Sequence, residues 1–129
     1  MIGCDPEYYL REKLGRWRAT GDVFDEDAVR EYVRCFSDPA AIHASCEDYR
    51  AAAAIDLVHD EEDFNKKIEC PLLVLWGARG FINRTYDVIE TWREKAVDVR
   101  GGTLDCGHFL PEEKPEDLCG ELTKFFSSF

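Results

Sequence analysis

The spacing of apolar residues along the chain changes character near residue 68. Before that point it is helical. Asp5-Pro6 pairs a capping aspartate with proline at the first helical position, and Tyr9, Leu10, Leu14 and Trp17 then keep one stripe until Gly21. After Asp25, the residues Ala28, Val29, Tyr32, Val33 and Phe36 repeat the pattern. Ser37-Asp38-Pro39 opens a third helix through Ile42, Cys46, Tyr49 and Ala53, and the acidic segment Asp60 to Lys67 predicts one or two further turns. No part of this zone reads as a strand.

The second zone alternates. Pro71-Leu72-Leu73-Val74-Leu75-Trp76-Gly77 is a continuous apolar run stopped by glycine, the pattern of a parallel strand buried on both faces. Arg84 to Lys95 predicts one helix with Tyr86, Val88, Ile89 and Trp92 inward, and Val97 to Leu104 predicts a second strand. Pro115 opens a last helix with Leu118, Leu122, Phe125 and Phe126 on one face. A β-α-β-α order implies a right-handed parallel crossover. Two such strands do not make a self-sufficient parallel sheet, because each needs neighbours at its edges and helices on its faces. The expectation is that the neighbouring strands come from sequence before residue 1.

Composition narrows the function classes. A net charge of −11 repels phosphate backbones, which argues against nucleic acid as a partner. No apolar stretch approaches 18 residues, so no membrane-crossing helix is expected. Met1-Ile2-Gly3-Cys4-Asp5-Pro6 has neither the basic nor the apolar region of a signal peptide, and the expected location is the cytoplasm. The six cysteines (Cys4, Cys35, Cys46, Cys70, Cys106 and Cys119) form no Cys-x-x-Cys pair, and their spacing with the three histidines suits no zinc site. Reduced, buried thiols are expected, with no metal.

The candidate chemistry lies in Cys106-Gly107-His108-Phe109-Leu110-Pro111-Glu112-Glu113, between the second strand and the last helix. A loop at a strand end holds a side chain rigidly over a site, which suits His108 to the role of a base. No Gly-x-Ser-x-Gly or Gly-x-Asp-x-Gly nucleophile elbow occurs in the 129 residues. A base stands here without a nucleophile. His43 and His59 fall on a helix and beside an acidic run, where surface or capping roles suffice. Glu112 and Glu113 read as complements to a helix dipole, Asp105 as a solvated strand-end carboxylate, and the run Asp60-Glu61-Glu62-Asp63 as a solvated helix start.

These residues resemble a known group. Cys70 to Ala78 resembles the seventh-strand signature of the α/β-hydrolase superfamily, and Gly107-His108-Phe109-x-Pro111-Glu112-Glu113-x-Pro115-Glu116 resembles its histidine loop in haloalkane dehalogenases and epoxide hydrolases. Asp38 to His43, Cys46 to Ala51 and Ile55-Asp56-Leu57 are similar to the cap domain of fluoroacetate (haloacetate) dehalogenases. The resemblance covers essentially the whole chain. It implies the carboxyl-terminal part of an α/β-hydrolase fold, with residues 1–68 as a helical cap segment and 69–129 as the last two strands, histidine loop and final helix.

The resemblance also implies a mechanism. An aspartate displaces halide to form an ester, and a histidine oriented by a carboxylate activates water to hydrolyse it. His108 matches that base, Tyr49 the cap phenol that donates to the leaving halide, and Trp17 a cap tryptophan lining the pocket. The nucleophile and the arginines holding the substrate carboxylate are expected before Met1. Gly77-Ala78-Arg79-Gly80 has glycine where many superfamily members carry the catalytic acid; the dehalogenases place that acid earlier. The activity so implied needs no cofactor, and the expected partner is a small haloacid, with homodimers in the full-length form, no nucleic acid and no membrane. The isolated chain is expected to be inactive. An epoxide hydrolase of the same fold is the alternative within enzymes, and an inactive truncated or pseudoenzyme product is the alternative outside them.

Overall fold

The computed structural model describes residues 2–19 and 21–129, and the chain divides into two compact units. Unit one comprises 1–16 and 25–66; unit two comprises 17–24 and 67–129. The segment Trp17–Phe24, which its composition groups with the helical zone, therefore packs with the later unit.

The first unit is helical. A 3₁₀ turn at Ile2–Cys4 leads into α1 (Pro6–Trp17), where the Asp5 carboxylate accepts from the Tyr8 amide at 2.9 Å. Asp25 caps α2 (Glu26–Phe36) by accepting from Asp27 and Ala28 at 2.8 and 3.2 Å. Asp38 caps α3 (Pro39–Ala52), with proline at the start as the sequence implies. Leu14 and Val29 are its buried side chains, and Tyr9 stacks on Phe36 with ring centroids 5.9 Å apart. Arg11 bridges α1 and α2 by pairing with both Glu7 and Glu26.

Two boundaries in this unit differ from the sequence reading. Helix α4 runs Ile55–Glu62, starting before the acidic segment that was expected to hold it. Helix α1 ends at Trp17, well before Gly21, and Trp17, which already belongs to the second unit, accepts there from the His108 amide at its carbonyl.

In the second unit β1 (Leu72–Gly77) pairs in parallel with β2 (Val99–Leu104), in register from Leu72 with Val99 to Gly77 with Leu104. The crossover is not the single helix that periodicity predicts. It is split into α5 (Phe81–Thr85) and α6 (Val88–Arg93), because the Asp87 carboxylate accepts from the Glu90 amide and starts a new helix. That break leaves Tyr86 exposed, while Val88 stays buried against the sheet. A short helix α7 (Leu110–Glu113), absent from the sequence reading, precedes α8 (Pro115–Phe126).

Leu72 to Trp76 are half-buried, short of the full burial their apolar run predicts. The reason is that β1 and β2 form a sheet of two strands, so much of their apolar surface has no second layer among the described residues. The unit's buried side chains are Val88, Ala96, Leu104 and Cys106. The six thiols are free, yet Cys106 alone among them is buried and four are exposed, which corrects the expectation of buried cysteines.

Candidate active site

His108 sits where β2 hands over to α7, and the backbone around it is fixed at many points. Cys106 donates to the Leu104 carbonyl at 2.8 Å and is 1% exposed. The Cys106 carbonyl accepts from Arg79 at 3.0 Å, tying the histidine loop to the turn after β1. His108 itself donates its amide to the Trp17 carbonyl at 2.9 Å. The loop is thus held from both sides while the His108 side chain remains exposed.

Two glycines make this crossing feasible. A Cβ on Gly77 would stand 1.7 Å from the Gly107 carbonyl oxygen, and a Cβ on Gly107 would stand 2.5 Å from the Ala19 nitrogen. The end of β1, the histidine loop and the Trp17–Ala19 segment therefore approach backbone to backbone. Glycine at position 77 has this steric reason.

Aromatic rings surround the imidazole. Trp17 meets it edge-on at 5.0 Å, and Phe109 meets it edge-on at 5.0 Å. Phe24 adds an edge contact to Phe109 at 5.2 Å, so the Trp17–Phe24 segment supplies two of the rings. Among the described residues no side chain hydrogen-bonds the imidazole.

Of the flanking carboxylates, Glu113 departs from expectation and Asp105 gains a partner. Asp105 is exposed but makes a bidentate pair with Arg79, both contacts at 2.7 Å. The Arg79 guanidinium holds the Asp105 carboxyl below the usual carboxylate range. Burial and the nearby carboxylates of Glu113 and Asp105 push the Cys106 thiol upward, against a nucleophilic thiolate there. Glu113, read from sequence as a complement to a helix dipole, turns back instead. Its Oε2 accepts from the amides of Ala19 and Gly107, each at 2.9 Å, and its Oε1 accepts from Phe109 at 3.2 Å. A signal for this existed: a glutamate in the first turn of a helix can satisfy amides just before it, as in a capping box.

Of the three residues singled out by sequence, Trp17 and His108 come together in the second unit. Tyr49 lies on α3 in the first unit and is 69% exposed. His43, also on α3, stands 3.6 Å from Glu47, and His59 lies exposed on α4. No group of metal-binding side chains occurs among the described residues.

No family model matches the chain. It is 37% identical over 128 residues to a fluoroacetate dehalogenase of a Burkholderia species, covering 98% of this chain and 42% of that protein. It is 35% identical over 133 residues to a soluble epoxide hydrolase of Corynebacterium sp. (strain C12), covering 98% and 44%. Among solved structures, an α/β hydrolase of Nostoc sp PCC 7120 superposes with a TM-score of 0.93 at 58% identity, over 97% of this chain and 43% of that one. The chain belongs to the α/β-hydrolase superfamily. A Salmonella enterica protein named as an acyltransferase is equally similar in shape, with a TM-score of 0.95 and 44% identity over 99% and 42% of the two chains. The chain spans less than half the length of these relatives, and its architecture is the carboxyl-terminal part of the α/β-hydrolase fold. No described helix is long and apolar enough to cross a membrane.

Proposed function

We propose that this chain carries the water-activating base of a hydrolase that releases halide from a short haloacetate. The observation that supports the reading most is the clamped loop of His108, whose exposed imidazole is packed edge-on against Trp17. The 37% identity to a fluoroacetate dehalogenase supports this substrate class. In this reading a carboxylate outside these 129 residues attacks the carbon bearing the halogen, forming a C–O bond as the carbon–halide bond breaks. His108 then takes a proton from water, whose oxygen attacks the ester carbonyl. Glycolate leaves and the carboxylate is regenerated. Tyr49 donates its hydroxyl to the departing halide, where fluoride most needs a donor, and Trp17 walls the pocket beside the base. The site is built for a small haloacid, in the cytoplasm, with a homodimer as the working form.

The 35% identity to a soluble epoxide hydrolase supports a second reading, in which the ester forms by opening an oxirane. Halide release from fluoroacetate and chloroacetate tests the first reading, with diol formation from an epoxide in parallel. The chain is assayed alone and joined to about a domain's length of its contiguous upstream coding sequence. Halide from the joined form only is expected. Turnover by the 129 residues alone would refute the division of the machinery, and diol without halide would establish the second reading.

A further inference from the structure

The carboxylate of Glu113 gathers three amides from two stretches of chain, Gly107–Phe109 beside it and Ala19, which is 94 residues away from it in sequence. Two of them, Gly107 and Phe109, flank His108 on either side. The third, Ala19, lies two residues beyond Trp17. The amide between Gly107 and Phe109 belongs to His108 and is bonded to the Trp17 carbonyl. Every backbone N–H from Gly107 to Phe109 is therefore committed either to Glu113 or to Trp17. A charged acceptor bonded to amides is stronger than a neutral one, and these three bonds are partly buried.

We propose that Glu113 is a positioning residue, a carboxylate clamp that fixes the His108 loop to the Trp17–Ala19 segment and so sets the imidazole against the indole edge. Its importance for catalysis rests on the reading of His108 as the base; the clamp itself does not. The glutamate acts through backbone, so it holds both the imidazole's point of attachment and the aromatic wall beside it with one group. The i, i+4 hydrogen bond from the Glu113 amide to the Phe109 carbonyl, at 2.9 Å, returns the same residue to the loop a second time. Glutamine in its place would keep the shape but turn an NH₂ toward at least one amide donor, leaving a partly buried N–H without an acceptor.

The test is hydrogen exchange on the full chain carrying Glu113→Gln, with Glu112→Gln as the control. Exchange of at least one of the Ala19, Gly107 and Phe109 amides, the one left facing the glutamine NH₂, is expected to accelerate at least about tenfold. The Leu118 amide of α8, bonded to the Lys114 carbonyl at 2.9 Å, should keep its protection. Ring protons of His108, followed by NMR, should lose the ring-current displacement that Trp17 imposes at 5.0 Å. Unchanged protection at the three amides would overturn the proposal. So would acceleration shared equally with Leu118, or loss of the fold, since either makes Glu113 a general structural residue. None of these readouts uses halide release, so they decide the clamp independently of the hydrolase reading.

Discussion

His108 and Trp17 are joined twice: the His108 amide donates to the Trp17 carbonyl at 2.9 Å, and the indole meets the imidazole edge-on at 5.0 Å. The two residues are 91 positions apart, and the backbone bond makes their ring contact a fixed geometry. A side chain whose main chain is pinned loses little freedom when it is used, which is the condition that the proposed role of His108 as a general base requires.

If the proposed halide-releasing reaction uses His108 as its base, replacing His108 by asparagine in the upstream-extended protein should stop the second half of the reaction. About one equivalent of halide per active site is expected in a burst, with the ester accumulating and detectable by mass spectrometry. Normal steady-state turnover by this variant would remove His108 from the mechanism.

Tyr49→Phe removes one hydroxyl from an exposed position on α3. If that hydroxyl serves the leaving halide, fluoride release should fall by about 10²-fold, the scale of losing one charge-stabilising donor. Chloride, the better leaving group, should suffer less. Equal loss for both halides, or none, would return Tyr49 to an ordinary surface residue.

The crossing of backbones makes a sharp stability contrast between two glycines. Gly77→Ala would drive a methyl to 1.7 Å from the Gly107 carbonyl oxygen, a clash no rotamer relieves. The loss should exceed about 3 kcal/mol in chemical denaturation. Gly120→Ala within α8 meets nothing within 4 Å and should stabilise by about 0.5–1 kcal/mol.

The Arg79–Asp105 pair predicts a dependence on acid. The Asp105 carboxyl is held below its ordinary value when folded, so its contribution is present above the unfolded value, about 3.9, and is lost as pH falls through the folded one. Asp105→Asn should therefore lower the urea midpoint at neutral pH, and the difference from the parent should close below about pH 4. Because the pair is exposed, added salt should shrink the difference as well. A gap that is constant with pH would mean that the hydrogen bonds and not the charge matter.

The residues by themselves determined the order of elements and the position of the histidine. Caps at Asp5, Asp25 and Asp38, a glycine-stopped apolar run and prolines at helix starts are local signals, and the chain obeys them because each is satisfied within a few residues. Asp87 was equally local, but its break in the crossover was hidden under a continuous apolar stripe from Tyr86 to Trp92. Only the tertiary structure decided which backbones touch. The steric need for glycine at 77 arises from Gly107, the end of α1 at Trp17 coincides with an amide 91 residues away, and the use of Glu113 depends on where Ala19 lies. Periodicity records which face of an element is apolar; it carries no information about which distant N–H will need an acceptor, since that demand arises only when two loops are brought together and water is excluded between them.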